Sequence, residues 1–333
     1  MSDRRSTELE RAIASQPEEL RRLLQTPLPH DTVERLRQAH RIWLVGTGTS
    51  LHAAELGASM LHDAGRAAYA MSSMRFVNWA PPMGAVDAVV VISHNAGAET
   101  AYASAAYTMG MDAGLRVIPI VRRGGGLVGA IETVDKERSH TYTVSYTAAL
   151  LILARLAHAL GAEAYGPETL EGLPDAVQVA LDDPAPPTIP VPQRALVLFG
   201  EGPAAVTARE GALKVREAAR MLAEGYDVEY LLHGSAVPLD GRDHLVALTP
   251  PDGDGLTAAV ATAARAHGIS VTDLDDGSGL PPILAQIPLT VRLQRLALRF
   301  ALERGTDPDV VIEGAWAADA LWVIGARGGP AGS

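Results

Sequence analysis

Short, continuously apolar runs alternate with longer helical patterns along the chain. Arg41–Val45, Ala88–Ser93 and Val117–Val121 are apolar at most positions, which predicts strands buried on both faces. Residues 7–25 place leucine and isoleucine at helical spacing, and Thr147–Leu160 predicts a long buried helix. Buried strands that alternate with helices predict an α/β fold with a parallel sheet covered on both sides.

The same order of elements begins again in the second half of the chain. Arg194–Phe199 predicts a strand and Ala204–Glu224 a helix. Further strands are predicted at His244–Leu248 and Ser270–Asp273, followed by a closing helix at Leu289–Glu303. The repeated order predicts an internal duplication of one doubly wound α/β unit.

A proline-rich stretch separates the two halves. Leu173–Gln193 carries few helical signals and is the best candidate for a linker. We therefore predict a first unit with an N-terminal helix at 1–172, a linker at 173–193 and a second unit at 194–333.

Composition narrows the class of protein. Hydrophobic residues make up 47% of the 333 positions and charged residues 20%, which argues against global disorder. The formal charge of −11 argues against a nucleic-acid-binding protein, which would normally carry a basic face. The absence of cysteine excludes disulfides, thiolate catalysis and iron–sulfur clusters. Neither a signal peptide nor a membrane span is recognisable, so we expect a cytoplasmic protein without membrane contact.

Two hydroxyl-rich turns are candidates for binding an anion. Thr47-Gly48-Thr49-Ser50 follows the first predicted strand, and the stretch from Ser93 to Thr100 follows the next. Ligands of doubly wound sheets bind beyond the carboxyl ends of the strands, and helix N-termini favour anions. The alternative is that Thr49 or Ser50 merely caps a helix.

A predicted helix in the second half carries a charged stripe. Glu210, Lys214 and Glu217 are spaced so that they share one helix face. Apolar residues flank the stripe, so a partly buried carboxylate beside a lysine is a candidate proton-transfer centre. A surface ion pair is the alternative interpretation.

His233 lies between two leucines and Gly234. It is a candidate acid or base, and the alternative is a structural core histidine.

Taken in order, these stretches resemble the SIS (sugar isomerase) family, in particular its stand-alone sugar-phosphate isomerases and deaminases and the isomerase half of glucosamine-6-phosphate synthases. The resemblance runs over almost the whole chain, and its most specific part is EGALKVRE together with the following His-Gly. The motifs that carry it are Ile13–Pro17, Thr47–Ser50, Ser93–Thr100, Glu210–Glu217, Leu232–Gly234 and Gly305–Asp309.

The resemblance implies a fold and a binding site. It implies two tandem SIS units, each a parallel sheet flanked by helices, in a homodimer with shared active sites. Ser50, Ser93 and Thr100 would bind the phosphate of a sugar. The complete predicted binding set is Thr47, Gly48, Thr49, Ser50, Ser93, His94, Asn95, Thr100 and Glu137.

The resemblance also implies catalytic roles. Glu217 would move a proton between C1 and C2, and His233, donated by the neighbouring subunit, would help to open the sugar ring. Lys214 lies where the family has a lysine beside that glutamate. Such a reaction needs neither a metal nor a redox cofactor. The leading prediction is an aldose–ketose isomerase or a deaminase of a sugar or amino-sugar phosphate, of the glucosamine-6-phosphate or fructose-6-phosphate type.

Departures from the family pattern keep alternatives open. Synthases carry a lysine in the C-terminal tail, but no lysine follows Lys214, and the equivalent place falls near Trp316. No glutamine-hydrolysing domain is recognisable, so we expect no glutaminase activity. The phosphate loop is longer than in the family. The alternatives are a non-catalytic sugar-phosphate sensor, or an isomerase of a sugar that bears another anion such as a sulfonate.

Overall fold

In the computed structural model the described residues are 6–95, 101–184, 186–249, 253–275 and 277–323. They form two compact units, each built on its own parallel sheet. No helix among these residues is both long and apolar enough to cross a membrane.

The five-stranded unit comprises Glu19–Glu137, Val144–Glu171 and 312–323. Its strand order is β2-β1-β3-β4-β5, with every pair parallel. The strands are β1 (Ile42–Gly46), β2 (Ala68–Ser72), β3 (Ala88–Ile92), β4 (Arg116–Val121) and β5 (Ile131–Glu132). The helices are α2 (His30–Arg37), α3 (Thr49–Asp63), α4 (Ser73–Trp79), α5 (Ala101–Asp112), α6 (Val144–Ala159), α7 (Pro167–Glu171) and α13 (Asp319–Val323), with 3-10 turns at Glu163–Tyr165 and Gly314–Ala317.

The four-stranded unit comprises 6–18, Arg138–Thr143 and 172–311. Its strand order is β7-β6-β8-β9, again all parallel. The strands are β6 (Leu196–Gly200), β7 (Ala223–Asp227), β8 (His244–Thr249) and β9 (Ser270–Asp275). The helices are α8 (Leu173–Asp182), α9 (Pro203–Ala219), α10 (Val228–Tyr230), α11 (Leu256–Ala266) and α12 (Gln286–Arg304), with short turns at Pro186–Thr188 and Leu231–Ser235; helix α1 runs over Glu8–Gln25.

Alternating side chains of each inner strand fill a separate core. In β6, Leu196 and Leu198 pack with residues of α9 and α12, whereas Val197 and Phe199 point to the opposite face and pack near α11. Burial on both faces is why the inner strands are continuously apolar. The structure confirms the predicted α/β class, with two parallel sheets flanked by helices.

The sequence pattern predicts one edge strand of the four-stranded sheet, β9, but not the other, β7. Strand β7 is the polar stretch Ala223–Asp227, of which only the first residue is fully buried. The predicted helix Ala204–Glu224 therefore ends too late: it stops at Ala219, because Arg220 takes the left-handed conformation, with φ of 50°. An edge strand is only partly buried and needs no continuous apolar run. The polar residues of β7 are therefore equally typical of the end of the preceding helix.

The stretch predicted as a linker is partly helical. Helix α8 occupies Leu173–Asp182. Pro174 falls in its first turn, where no backbone N–H is needed for helical hydrogen bonds. Pro174 is therefore compatible with a helix start, and the expectation of a non-helical linker is wrong for Leu173–Asp182. The division into 1–172, 173–193 and 194–333 remains a sequence-based prediction, since the two compact units are not continuous stretches of chain.

Asp309 explains why the N-terminal segment belongs to the four-stranded unit. Its carboxylate accepts hydrogen bonds from the backbone N–H groups of Glu8 (2.8 Å) and Leu9 (2.7 Å), 301 and 300 residues away. A carboxylate in this position caps the start of helix α1. The GTDPD stretch thus has a structural role that its sequence did not reveal.

A partly buried ion pair connects the starts of the neighbouring strands β1 and β3 in the five-stranded unit. The Arg41 guanidinium donates to both carboxylate oxygens of Asp87, at 3.3 and 2.8 Å, and to the carbonyl oxygen of Pro82 at 3.0 Å. The backbone N–H of Gly84 donates to the same carboxylate at 2.9 Å.

The four-stranded unit repeats this network. The guanidinium of Arg194 donates to both carboxylate oxygens of Asp243 and, at 2.6 Å, to the carbonyl oxygen of Pro238. The N–H of Asp240 takes the place of that of Gly84, at 2.9 Å. The order β7-β6-β8-β9 matches β2-β1-β3-β4 of the five-stranded sheet, and this match together with the repeated network supports the internal duplication.

We expect these carboxylates to make the fold acid-sensitive. Burial opposes the charged form of Asp87, but hydrogen bonds from Arg41 and Gly84 outweigh it and hold its pKa below the ordinary value. The stabilisation is complete above the unfolded-state pKa, about 3.9, and is lost as the pH falls through the lower folded-state value. Asp87→Asn should cost roughly 2–3 kcal/mol at pH 7 and flatten the loss of stability below pH about 4.

Urea unfolding at several pH values measures this effect. Asp135→Asn is the matched control, because Asp135 is exposed and pairs with Arg123 at the surface. An equal pH slope in the wild type and in Asp87→Asn would contradict the expectation.

Candidate active site

The turn after β1 has the backbone of a ligand-binding turn. Gly48 precedes helix α3 with φ of 53° and ψ of −129°, a combination that only glycine adopts readily. Gly48 is the N-cap residue of this helix, so the alternative in which Thr49 or Ser50 is the N-cap residue is wrong. Thr47 is exposed and both hydroxyl groups of the first helical turn are half-buried. These hydroxyl groups are placed at a helix N-terminus, where an anion is favoured.

Gly46 was not singled out from the sequence but makes this turn possible. A Cβ atom at Gly46 would lie 2.5 Å from the carbonyl carbon and oxygen of Ser50. The strand end and the first helical turn therefore touch backbone to backbone. The feature of the sequence that could have indicated this close approach is a glycine at the last position of the strand, four residues before Ser50.

The turn after β3 begins beside the turn after β1. The two strands are parallel neighbours, with Val45 paired to Val91, so both chains leave the sheet at the same edge. Ser93 continues β3, donates its N–H to the carbonyl of Ile120 at 3.0 Å, and is 7% exposed. Asn95 is 8% exposed. The strand order reverses between β1 and β3, which is where doubly wound sheets bind ligands.

Thr100 lies outside the described residues. Its predicted part in phosphate binding stays a prediction.

His94 connects this turn to Glu137. The Nε2 atom of His94 accepts the backbone N–H of Glu137 at 3.0 Å, so in the neutral ring the proton is on Nδ1. The Glu137 carboxylate in turn accepts the N–H of Ser145 at 2.9 Å, in the first turn of α6. The structure thus brings His94 and Glu137 together. The Glu137 carboxylate also supports a helix start, a role that sequence reasoning did not assign to it.

The charged stripe of helix α9 is buried. The Lys214 ammonium lies 2.6 Å from Glu217 Oε2 and 3.5 Å from Glu210 Oε1. The side chains of Lys214 and Glu210 are 0% exposed and that of Glu217 is 19% exposed. The surface ion-pair interpretation is therefore wrong, and only Glu217 of the three has access to solvent.

Close helix packing explains this burial. Gly211 lies where a Cβ atom would be 2.5 Å from Cδ1 of Leu293 in helix α12. The glycine of the EGALK stretch lets α12 approach α9, and the neighbouring charges are covered as a result.

The buried position of Glu217 changes its acidity. Removal from water raises the pKa of its carboxyl group, and the Lys214 ammonium opposes that shift without cancelling it. A carboxylate with a raised pKa is a stronger base than an ordinary glutamate. Glu217 can therefore take up a proton and return it more readily than an exposed glutamate, while the ammonium group stabilises negative charge beside it.

His233 is exposed, so the interpretation as a core histidine is wrong. Its Nδ1 atom is 2.8 Å from the carbonyl oxygen of Glu229. Because a carbonyl only accepts, Nδ1 carries the proton, and Nε2 of the neutral ring is the atom that can accept one. Gly234 has φ of 109°, which explains why glycine follows the histidine.

Two parallel sheets of this strand order, each flanked by helices, define an α/β fold, and the solved structures named below share this fold. The resemblance seen in the sequence motifs is confirmed by known proteins. The chain is 27% identical over 308 residues to glutamine–fructose-6-phosphate aminotransferase [isomerizing] of Gloeobacter violaceus, covering 81% of this chain and 50% of that protein. It is 26% identical to the protein of the same name from Thermococcus kodakarensis, covering 83% and 51%.

The chain thus spans about half the length of these curated relatives. No family model matches the chain.

Solved structures share the fold over nearly the whole chain. The C-terminal domain of glucosamine-fructose-6-phosphate aminotransferase from Francisella tularensis superposes with a TM-score of 0.79 at 21% identity, covering 93% of this chain and 99% of that one. Tagatose-6-phosphate ketose/aldose isomerase from Escherichia coli gives 0.75 at 20% identity, covering 94% and 98%. Glucosamine-6-phosphate deaminase from Thermotoga maritima gives 0.74 at 17% identity, covering 91% and 97%.

Proposed function

We propose that this chain is an aldose–ketose isomerase or a deaminase acting on a sugar or amino-sugar phosphate of the glucosamine-6-phosphate or fructose-6-phosphate type. The observation that carries the proposal is the buried ion pair of Lys214 and Glu217, in which burial raises the pKa of the Glu217 carboxyl group. The names of the relatives and structural neighbours, which include isomerases and a deaminase, agree with this class.

In this proposal the five-stranded unit binds the phosphate group of the substrate. Thr49 and Ser50 supply hydroxyl groups at the start of α3, and Ser93 supplies one at the end of the neighbouring strand. The remaining members of the proposed binding set are Thr47, Gly48, His94, Asn95, Thr100 and Glu137. A phosphate fits this set because hydroxyl groups and the start of a helix bind anions without a net positive charge.

In this proposal the four-stranded unit carries out the proton transfer between the two carbon atoms of the substrate. Glu217 removes the proton from the carbon next to the carbonyl of the open-chain sugar, and the carbonyl oxygen gains a proton. The resulting enediol, or enolamine for an amino sugar, takes the proton back from Glu217 at the former carbonyl carbon. The hydroxyl or amino group on the neighbouring carbon loses a proton at the same time and becomes the new carbonyl or imine. Lys214 holds Glu217 in place and stabilises the charge that develops on the substrate oxygen. For a deaminase, water then hydrolyses the ketose imine and ammonia leaves.

His233 is assigned to ring opening. Its exposed Nε2 accepts the proton of the anomeric hydroxyl group and returns one to the ring oxygen. We include in the proposal that the chain forms a homodimer and that His233 serves the partner subunit, in line with the family resemblance.

Proton NMR of candidate substrates in D₂O tests the proposal. Glucose-6-phosphate, fructose-6-phosphate, glucosamine-6-phosphate and a sugar sulfonate are each incubated with the protein. Loss of the C1 or C2 proton signal supports an isomerase, and release of ammonia identifies a deaminase. Ser50→Ala should weaken substrate binding about tenfold, the effect of one hydrogen bond to a charged group. Ser59→Ala is its control, because Ser59 lies on α3 and bonds to Glu55 within the helix.

A non-catalytic sensor is the second candidate. It is favoured by the lysine-free tail, where exposed Trp316 stands near the place of the synthase lysine. Saturable binding without solvent exchange would support the sensor and contradict the enzyme.

A further inference from the structure

The four-stranded unit contains a counterpart of the anion-binding turn. Gly202 follows β6 with φ of 51° and ψ of −123°, against 53° and −129° for Gly48 after β1. A Cβ atom at Gly200 would meet Cβ of Ala204 at 2.8 Å, as one at Gly46 would meet Ser50. Both turns follow the strand at which the order of the sheet reverses. The backbone of the turn is therefore duplicated, although its side chains differ.

Glu201 occupies the place that corresponds to Thr47. Its carboxylate accepts the backbone N–H of Asp254 at 2.9 Å and that of Thr257 at 2.5 Å. These N–H groups lie at the start of α11, an 11-residue helix whose N-cap residue is Gly255, and the Asp254 carboxylate accepts the N–H of Leu256 there at 2.9 Å. The start of a helix favours a negative charge, and here the charge comes from the chain itself.

Thr257 adds a donor that Glu201 does not use. This residue is 1% exposed, and its hydroxyl group is buried without a hydrogen-bond partner among the described residues. A buried hydroxyl group normally finds a partner. The unused donor sits on the same residue whose N–H binds the Glu201 carboxylate. Two N–H groups and one hydroxyl group are thus available as donors, and the Glu201 carboxylate accepts hydrogen bonds from the two N–H groups only.

We propose that Glu201 is an internal anion that closes the second anion site of this duplicated fold. While Glu201 is in place, this turn binds no free phosphate. Without the carboxylate, the N–H groups of Asp254 and Thr257, together with the Thr257 hydroxyl group, form a site for inorganic phosphate. This inference concerns a different turn from the proposed substrate site and does not depend on the enzymatic proposal.

Hydrogen exchange of residues 253–266, measured by mass spectrometry, tests the proposal locally. The full chain is compared in phosphate and in chloride at equal ionic strength. The test variant is Glu201→Thr, which places there the residue type of position 47. In chloride, loss of the cap should speed exchange of this segment by about 5–30-fold. Phosphate should slow the exchange again, to within about threefold of the wild-type rate.

The wild type and Glu229→Thr are the controls. Glu229 is exposed in the same unit, and its replacement changes the net charge equally. Neither protein should show phosphate-dependent exchange in residues 253–266. Adding Thr257→Val to Glu201→Thr should weaken the phosphate effect, because the proposed site loses one donor.

Three outcomes would overturn the proposal: protection of this segment by phosphate in the wild type, wild-type exchange of Glu201→Thr in chloride, or faster exchange that phosphate does not slow. If the threonine variant does not fold, Glu201→Gln is measured in the same way. It should exchange faster in chloride and respond to phosphate more than the wild type does. Wild-type behaviour of that variant would equally overturn the proposal.

Discussion

Glu217→Gln should lower kcat by about 10²–10⁴-fold, the usual contribution of a general base. Glutamine has nearly the same shape and can still accept a hydrogen bond from Lys214, whose ammonium is 2.6 Å from Glu217 Oε2 in the wild type. It cannot take up the substrate proton. Binding should survive, because the proposed phosphate ligands are unchanged. Steady-state kinetics and the ligand-induced shift in Tm measure the two effects separately.

Glu224→Gln is the matched control for this variant. Glu224 belongs to the same unit, and its exposed carboxylate pairs at the surface with Arg216. Its replacement should change kcat by less than about twofold, as expected for an exposed ion pair. If Glu217→Gln retained activity within tenfold of the wild type, Glu217 would not be the base.

Lys214→Met should have the second large effect, on both stability and pH dependence. The ammonium group lies between two carboxylates, and the Glu210 side chain is as fully buried as Lys214 itself. Removing one partner of a buried pair leaves an uncompensated charge, which costs about 3–5 kcal/mol. Glu210→Gln in the same chain should recover at least half of this loss in urea unfolding, because the only carboxylate then left without the ammonium group is that of Glu217, which has access to solvent. An equal loss in the double variant would contradict this account.

The pH profile of Lys214→Met has a definite direction. Burial raises the pKa of Glu217, and Lys214 lowers it in part. Without the ammonium group the pKa must rise further, and the base is active only when it is deprotonated. The acid limb of kcat/KM should therefore move to higher pH than in the wild type. Arg216→Met, which removes a more weakly acting charge from the exposed face of the same helix, should move the limb far less.

The sequence predicted that the three charged residues of α9 share one face, but it did not predict the burial that raises the pKa of Glu217. Helical spacing alone placed Glu210, Lys214 and Glu217 on one face, since three and four residues make one turn. Their burial depended on the approach of α12 at Gly211, which no local pattern reports. The same approach leaves Glu217 as the member of the stripe with access to solvent.

For His233, too, the sequence indicated a candidate residue and the structure showed its surroundings. The sequence placed His233 beside a glycine but left a core and a catalytic role equally open. The structure excludes the core role, because the ring is exposed and its Nδ1 is held by the carbonyl of Glu229. The catalytic role stays a proposal. That contact spans four residues in a distorted turn, and the φ of 109° at Gly234 is part of it. A single-sequence pattern does not predict such a turn.

The amino-acid sequence by itself determined the α/β class, the inner strands and the order of the motifs. Continuous burial of β1 and β3 demands an unbroken apolar run, and helical spacing follows from local geometry. Only the tertiary structure decided the edge strand β7 and the cap that Asp309 places on α1 from 301 residues away. The same holds for the internal anion Glu201. Each of these depends on groups distant in the chain, whose hydrogen bonds and burial exist only after folding has brought them into contact.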